Sequence, residues 1–542
     1  MADLVASSAV LTVEQVRAMD ADLIAQGHGF STMQKAANAL FHKVVELLDS
    51  GEWKIPLSLR PPVRTTFPSG WNMRPVVILA GKGNNGGDGI LLAIKLREAK
   101  RSIRLLLLEA PDKFQGDALK AWQLWQSAGG SSEPLSDSKV LDSITGNSCG
   151  LIVDALYGTG FRDRLTGLAA DVVTRVRQSL CPVLSVDVPS GIKPSTDDNP
   201  DLCIKADWTL LLGYPRLDAC CQYPGDWYGQ WDFADLGYSD ALLLQHAPGP
   251  QVRLLTFSQV AKLLPFRSQW GEKRSQGTVG LLAGSRGMTG AASLCAMSAM
   301  RSGAGMVHLA SPSAEISVLA SRLLEIVLHP QDSVNGSLLA SALANVVSLF
   351  SRCNVGCVGP GLSTSNEVQL LVRQLCLESD IPLVIDADGL NAFKGYSAVL
   401  RGLKHIPILT PHEGEWDRLF RIPAGTGWAR VDVLRSRATE FNCVIVLKGA
   451  PTLIGAPNGD VYVLPVANSG LAKAGSGDVL AGTITSMRAQ GASELEAALL
   501  GTWIHARAGM LTVQTLGQRG ALPSDLIEII PQVLVDLERC HS

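Results

Sequence analysis

The stretch Asn468-Ser469-Gly470-Leu471-Ala472-Lys473-Ala474-Gly475-Ser476-Gly477-Asp478-Val479-Leu480-Ala481-Gly482 decides the reading of this 542-residue chain. It opens on small residues, passes through a Gly-Ser-Gly-Asp turn and then becomes apolar. Glycine lets backbone come close to a ligand and take positive φ without the cost of a Cβ. Residues 479–484 read as the start of a buried helix. A Gly-rich loop feeding a helix N-terminus presents free N–H groups and the positive end of a dipole, which suits phosphate. Asp478 falls in the first helical turn beside that anion site. Its carboxylate either takes a proton from a hydroxyl during phosphoryl transfer or simply caps the helix, and the loop alone leaves both open.

Upstream of this stretch, short apolar runs end repeatedly in polar loops. Residues 277–284 enter Ser285-Arg286-Gly287-Met288-Thr289-Gly290, and 291–302 read as a small-residue helix. Residues 353–358 lead into Gly359-Pro360-Gly361-Leu362-Ser363, and 382–385 into Asp386-Ala387-Asp388-Gly389-Leu390-Asn391. Residues 406–409 lead into Thr410-Pro411-His412-Glu413-Gly414-Glu415, and 443–447 into Lys448-Gly449-Ala450-Pro451-Thr452. Strand, loop and helix in alternation predict an α/β domain with a mostly parallel sheet. His412 has no second histidine at ligand spacing, so a substrate contact is expected there rather than a metal. No phosphate-binding P-loop motif occurs.

The first half repeats the pattern. Residues 13–48 carry apolar positions at helical spacing with a break at Gly27-His28-Gly29. Residues 50–74 are rich in Pro and Arg and read as an irregular connection. A β-type run at 75–80 enters Gly81-Lys82-Gly83-Asn84-Asn85-Gly86-Gly87-Asp88-Gly89, followed by a helix from 90 to 97. That is the dinucleotide-binding arrangement, and Gly81, Gly83 and Gly86 satisfy its weak fingerprint. Two more strand ends, Asp154 before Gly158-Thr159-Gly160-Phe161-Arg162 and Asp187 before Val188-Pro189-Ser190-Gly191, point to one shared site. Asn85, Asp154 and Ser190 supply only oxygen, which suits a hard cation rather than zinc. Residues 240–250, with Pro248-Gly249-Pro250, mark the expected domain boundary.

Composition limits the partners. The chain is 46% apolar and 18% charged, with a net charge of -3, so no nucleic-acid partner is implied. No apolar run reaches the ~18 residues of a membrane span. The N-terminus lacks a basic region, so no secretory signal is expected. The 11 cysteines show no framework and are expected to be reduced thiols of a cytoplasmic protein.

Taken in order, these motifs resemble two known families. AGKGNNGGDG at 80–89, Asp154 with GTG at 158–160, and DVPSG at 187–191 are similar to the N-terminal YjeF domain, the NAD(P)H-hydrate epimerase. AGSRGMTGAA at 283–292, GPGLS, DADGLN, TPHEGE, LKGAPT and the stretch that opens this section resemble the C-terminal YjeF domain, the NAD(P)H-hydrate dehydratase, itself similar to ribokinase in fold. Their fused order is that of the bifunctional NAD(P)H-hydrate repair enzymes.

The resemblance implies an α/β chain: an N-terminal Rossmann-like α/β/α epimerase domain over residues 1–245 and a C-terminal ribokinase-like dehydratase domain over 253–542. It implies repair of reduced nicotinamide that has gained water across a ring double bond. The first domain would interconvert the R and S hydrates. The second would dehydrate the S epimer at the expense of ADP in bacterial members, or ATP in eukaryotic ones, with Mg²⁺. By motif match, Asn84, Asn85, Gly86, Gly87, Asp88, Gly158, Thr159, Gly160, Phe161, Arg162, Asp163, Arg164 and Asp187 would hold the hydrate in the first domain. Asn85, Asp154 and Ser190 would hold K⁺. In the second domain Ala291, Gly361, His412 and Asp478 would contact the hydrate. Lys448, Gly449, Ala450, Pro451 and Thr452, with Asn468, Ser469, Gly470, Leu471, Ala472, Lys473, Ala474, Gly475, Ser476 and Gly477, would hold ADP. Asp187 and Asp478 would be catalytic, and a homo-oligomer is expected.

Two departures from the family pattern stand out. Glu413 occupies the position where Pro is common, and Lys473 lies inside the nucleotide loop, where it either contacts phosphate or faces solvent. A ribokinase-like kinase with a regulatory N-terminal domain shares Asp478 and the glycine loop, but has no need of a complete first-domain site. A non-catalytic dinucleotide sensor has no need of Asp478, and a plain dehydrogenase leaves the second domain unexplained.

Overall fold

A computed structural model describes residues 9–50, 67–144, 149–194, 201–221, 226–249 and 251–540. The readings made for the first eight residues and for 51–66 lie outside the described residues. The chain forms two compact units, Met1–Gly249 and Pro250–Ser542.

The first unit is built on β1 (Val76–Ala80), β2 (Ile103–Leu107), β3 (Glu133–Pro134), β4 (Leu151–Ala155), β5 (Val183–Val186), β6 (Trp208–Leu212) and β7 (Gln230–Ala234). They lie in the order β3-β2-β1-β4-β5-β6-β7, and every pair is parallel. All residues of β1, β4 and β5 are buried, as a parallel sheet covered on both faces requires. The period-2 alternation of strand side chains divides the core. Val76, Ile78 and Ala80 pack with the helices Gly29–Ser50, Asn84–Glu98 and Gly116–Ser127, and Val77 and Leu79 with the helix Gly167–Gln178. The strand order reverses between β1 and β4, so a crevice opens at their carboxyl ends, where ligands bind in such sheets.

Two expectations change here, and a third gains detail. Asn84 to Asp88 had read as an enriched turn before a helix at 90–97, but they form the first turn of that helix, Asn84–Glu98. Close packing explains it: a Cβ on Gly86 would lie 1.7 Å from the Gly81 carbonyl oxygen, so only glycine lets the helix start this near the strand. The stretch 240–250, read as the domain boundary, also contains a helix, Asp240–His246, whose Leu242 and Leu243 pack against Val16 and Met19 of the helix Val13–Ala25. The cysteines are not all reduced thiols, because Cys149 and Cys181 form a disulfide. Each stands just before a strand, and the parallel pairing of β4 with β5 brings those two strand starts together.

The second unit contains β8 (Val252–Leu254), β9 (Thr278–Leu282), β10 (Met306–Pro312), β11 (Val327–Gln331), β12 (Ser333–Val334), β13 (Ser337–Leu338), β14 (Val355–Val358), β15 (Leu383–Ile385), β16 (Ile408–Leu409), β17 (Val444–Leu447), β18 (Thr452–Gly455) and β19 (Val461–Leu464). Its main sheet runs β11-β10-β9-β14-β15-β16-β17-β18-β19-β8. It is parallel from β11 to β17, then antiparallel through β18 and β19. The first strand of the unit, β8, closes the far edge against β19 in parallel. The helix Ser476–Ala489 is buried along nearly its whole length, between the helices Thr289–Arg301 and Glu494–Gly520. A helix apolar on all sides belongs inside a core, and this one carries its N-terminus to the carboxyl edge of the sheet. Among the described residues no helix is long and apolar enough to cross a membrane.

Candidate functional site

In the first unit the crevice at the switch point is a cavity of about 970 Å³. Asn84, Asn85 and Asp88 line it from the start of their helix, and Gly158 to Arg164 from the loop after β4. Asp187 lines it from the end of β5. Gly86 and Gly87 sit behind this wall, against Gly81 and Met33. Phe161 tilts onto Tyr157 at 4.8 Å, and the Arg162 guanidinium donates to the Thr159 and Phe161 carbonyls of its own loop.

The three oxygen donors singled out in sequence converge. Asp154 is fully buried and accepts four hydrogen bonds: Ser190 Oγ at 2.6 Å, Ser185 Oγ at 2.8 Å, the Ser190 N–H at 2.9 Å and the Leu156 N–H at 3.4 Å. Burial pushes its carboxyl upward, and these bonds oppose the shift; among the described residues no cationic side chain contributes. Asn85 Nδ2 donates to the Tyr157 carbonyl at 3.0 Å, and Ser190 Oγ accepts from the Tyr157 N–H at 3.0 Å. A buried carboxylate thus stands among neutral hydroxyl and backbone N–H groups, with no cationic side chain beside it among the described residues.

Asp187 is treated differently. It has φ +65, a left-handed conformation that aspartate tolerates better than most residues. Its Oδ1 accepts from Arg216 Nη1 at 2.7 Å and from the Leu212 N–H at 3.2 Å, while its carbonyl accepts from Arg216 Nη2 at 2.9 Å. Arg216 is fully buried. Burial works against its charge, but the Asp187 and Asp218 carboxylates outweigh this and hold its pKa above the usual value. Asp88 is buried with no side-chain hydrogen bond among the described residues. Burial, and then the charges of Asp187 and Asp20, push it well above the usual carboxyl range. Sequence reasoning did not find Asp20, Arg216 or Tyr238. None belongs to a Gly-rich loop, and their meeting depends on contacts far apart in the chain.

In the second unit the organising stretch folds as read: a loop, then the helix Ser476–Ala489 capped by Gly475 at φ +99. Asp478 lies in the first turn, and nothing among the described residues hydrogen-bonds its carboxylate. A Cβ on Gly477 would stand 3.3 Å from Lys448 Nζ and 3.7 Å from Asp386 Oδ2, so the turn faces the loops after β17 and β15. Lys448 Nζ donates to Asp386 Oδ1 at 2.9 Å and lies 3.6 Å from Glu415 Oε2. Asp478 is raised to about 7 by burial, then by Asp386; Lys448 opposes the shift, and Glu415 and Asp388 add to it. This is the environment of a carboxylate able to take up a proton near neutral pH.

His412 caps the helix Glu413–Phe420: its Nδ1 accepts from the Gly414 N–H at 3.0 Å and the Glu415 N–H at 3.3 Å. Among the described residues no group of three potential ligands gathers to hold a metal. Gly361 and Ala291 meet, since a Cβ on Gly361 would lie 3.0 Å from that of Ala291. Residues 448–452 form the turn between β17 and β18, with Thr452 Oγ1 bonded to the Gly449 carbonyl at 3.1 Å. Asn468 Oδ1 accepts from the Gly470 N–H at 2.9 Å, but its buried Nδ2 has no partner in the described structure. The Lys473 side chain takes neither role foreseen for it. Its ammonium is anchored on the Arg519 and Ala521 carbonyls, because the loop lies against the end of the helix Glu494–Gly520.

Four more residues support this site. Asp386 and Glu415 fall inside motifs read from sequence, and their burial shows that they hold Lys448. The buried His505 bonds Ser476 Oγ at 3.0 Å, with its pKa lowered to about 4 by burial, so it is neutral. Arg430 pairs with Glu413, the residue that departs from the family pattern, and donates to the Lys448 carbonyl at 3.3 Å.

Comparison with known proteins covers both units. A family model described as the YjeF-related protein N-terminus matches residues 30–217, and one described as NAD(P)H-hydrate dehydratase matches 279–532. The chain is 35% identical over 470 residues to a protein of Moorella thermoacetica named bifunctional NAD(P)H-hydrate repair enzyme Nnr, covering 86% of this chain and 88% of that one. A Mycobacterium leprae protein of the same name is 30% identical over 522 residues, with 96% and 98% covered. A crystal structure of the ADP/ATP-dependent NAD(P)H-hydrate dehydratase from Bacillus subtilis, co-crystallised with ATP/Mg²⁺, is 28% identical. It covers 54% of this chain and 99% of its own, with a TM-score of 0.45.

Proposed function

The chain belongs to the family of bifunctional NAD(P)H-hydrate repair enzymes, and on that premise we propose that it epimerises R and S NAD(P)H hydrates in its first unit and dehydrates the S epimer in its second. The observation that carries the reading is that each unit of one chain gathers carboxylates beside a Gly-rich turn. A cavity lined by Asp88 and Asp187 serves the first, and Asp478, raised to about 7 beside a Gly-rich helix N-terminus, serves the second.

In the second unit water is a poor leaving group from the ring carbon. ADP, with Mg²⁺ on its phosphates, supplies the phosphoryl group that turns the hydroxyl into a better one, leaving AMP and phosphate. The protein's part is positional and electrostatic. Asp478 takes the hydroxyl proton, and the free N–H groups at the start of the helix Ser476–Ala489 face the transferring charge. Lys448, held by Asp386 and Glu415, adds positive charge next to Gly477. The unpartnered Nδ2 of Asn468 is a donor left over for the nucleotide, which residues 448–452 and 468–477 would hold. Ala291, Gly361 and His412 would hold the hydrate.

In the first unit Asp187 steadies positive charge developing on the ring, its carboxylate held in place by Arg216. Asn84 to Asp88 and Gly158 to Arg164 would hold the hydrate. Asn85, Asp154 and Ser190 fit K⁺, because each carries a side-chain oxygen and the buried Asp154 carboxylate has no cationic partner among the described residues. A cytoplasmic homo-oligomer acting on small molecules, with no nucleic acid or membrane partner, completes the reading.

The test is stoichiometric. With S hydrate, ADP and Mg²⁺, the purified chain releases one phosphate for each reduced nicotinamide recovered. Phosphate release that ignores the hydrate, or transfer to a different small alcohol, would favour a ribokinase-like kinase instead.

A further inference from the structure

The cavity of the first unit contains a carboxyl that the family motifs do not reach. Asp20 stands on the helix Val13–Ala25, upstream of the matched residues 30–217, yet it lines the same wall as Asp88 and Asp187. The Tyr238 hydroxyl donates to Asp20 Oδ1 at 2.6 Å, and Tyr238 lies beyond the other end of the matched span. No hydrogen bond among the described residues reaches Oδ2. Tyr238 is itself fixed: its ring stacks on Tyr214 at 5.6 Å and 12°. Val16 and Met19, from the helix that carries Asp20, pack into the same cluster.

We propose that Asp20, positioned by Tyr238, is a proton-transfer residue of the epimerase site and acts on the oxygen of the hydrate's hydroxyl. The proposal rests on the epimerase reading above. In the forward step the lone pair of the ring nitrogen forms a C=N⁺ bond and the C–O bond breaks. A carboxylic acid gives its proton to the departing oxygen, so water leaves. Water then adds to the opposite face of the ring. The C–O bond forms, the electron pair returns to nitrogen, and a carboxylate takes the water's extra proton. Nothing is oxidised, and the proton given equals the proton taken.

Such an exchange needs one carboxyl that holds a proton and one that has lost it. Asp187 is poorly suited to carry protons, because Arg216 clamps it at 2.7 Å. Asp88 is pushed well above the ordinary carboxyl range, by burial first and then by the charges of Asp187 and Asp20. Asp20 is raised only to about 6, by burial against the opposing Tyr238 bond, so it has given its proton up. The two carboxyls line one cavity in different surroundings, Asp20 held by the Tyr238 hydroxyl and Asp88 without a side-chain hydrogen bond among the described residues, as an acid and a base require.

The experiment follows R-to-S interconversion chromatographically, with K⁺ and without nucleotide, so that dehydration is silent. Asp20→Asn lowers kcat by about 100-fold or more, the ordinary contribution of acid–base catalysis, with little change in KM. Asp20→Ala regains activity with added formate. Tyr238→Phe, which loses one charge-assisted bond, lowers kcat by about tenfold. S-hydrate dehydration by the same preparations is unchanged. Asp20→Asn with wild-type kcat, or an Asp20→Ala loss that formate leaves unrepaired, would overturn the role of Asp20 and leave the epimerase reading standing. A wild-type chain that interconverts the epimers no faster than buffer removes both.

Discussion

Asp187 and Asp478 both stand at the carboxyl edge of a parallel sheet, yet the protein gives them opposite surroundings. Asp187 meets a fully buried guanidinium at 2.7 Å and a backbone N–H at 3.2 Å. Asp478 has no hydrogen bond among the described residues, and the nearby Lys448 is bound to Asp386. One carboxylate is paired with a guanidinium and suits a site where positive charge develops. The other is raised to about 7 and suits a site where a proton must be taken. Position at the carboxyl edge of the sheet brings a group to the ligand, but the counter-charge decides what it does.

The largest expected effects separate the two units. Asp478→Asn lowers S-hydrate dehydration by about 10³-fold, within the range for a lost base, and leaves epimerisation intact. Asp187→Asn abolishes epimerisation and leaves dehydration of pure S hydrate intact. Steady-state assays on separated epimers check both, and retained epimerisation in Asp187→Asn would end the contrast drawn here.

A pH profile sharpens it. Asp478 acts as a base only when ionised, so dehydration rises with pH through about 7 and falls away below it. The Lys448 charge favours the ionised form, so Lys448→Met moves the midpoint upward and also raises KM for the nucleotide. A midpoint unmoved by this variant would show that another group limits the rate.

Potassium should matter to the first unit through Asp154. Ser185 only orients that carboxylate, at 2.8 Å. Ser185→Ala therefore raises the K⁺ concentration for half-maximal epimerisation by about 10-fold. The smallest effect belongs to the exposed side of the nucleotide turn. Glu413→Pro releases Arg430, which now braces the Lys448 carbonyl, and raises the nucleotide KM by no more than about fivefold, as a partly exposed ion pair allows.

Much of this was legible in the sequence because the chemistry is written locally. A loop that must approach a phosphate or a hydrate needs glycine, and its donors follow directly on the apolar strand. Gly475 to Asp478, Asn84 to Asp88 and Asp154 are of that kind. What escaped depends on distance in the chain or on weaker punctuation. Asp20 and Tyr238 meet across 218 residues. Arg216 follows β6 without any motif around it, and only its burial against Asp187 gives it a role. The Cys149–Cys181 disulfide follows from strand register, which spacing does not reveal. The turn at Asn335-Gly336, both with positive φ, carries the hairpin β12–β13, and the Asn-Gly pair was a readable signal that went unused. Lys473 shows the reverse error: a lysine in an anion-binding loop invited a phosphate contact, but packing against the end of a neighbouring helix took its ammonium.

The central claim, two coupled activities on one chain, is tested most directly with a mixture of both NADPH-hydrate epimers, Mg²⁺ and K⁺. Recovery of reduced-nicotinamide absorbance is followed with ADP, with ATP and with neither. The account predicts full conversion of both epimers with one of the nucleotides and none without. Recovery that halts when the S epimer is exhausted would contradict the first activity, and no recovery with either nucleotide would contradict both.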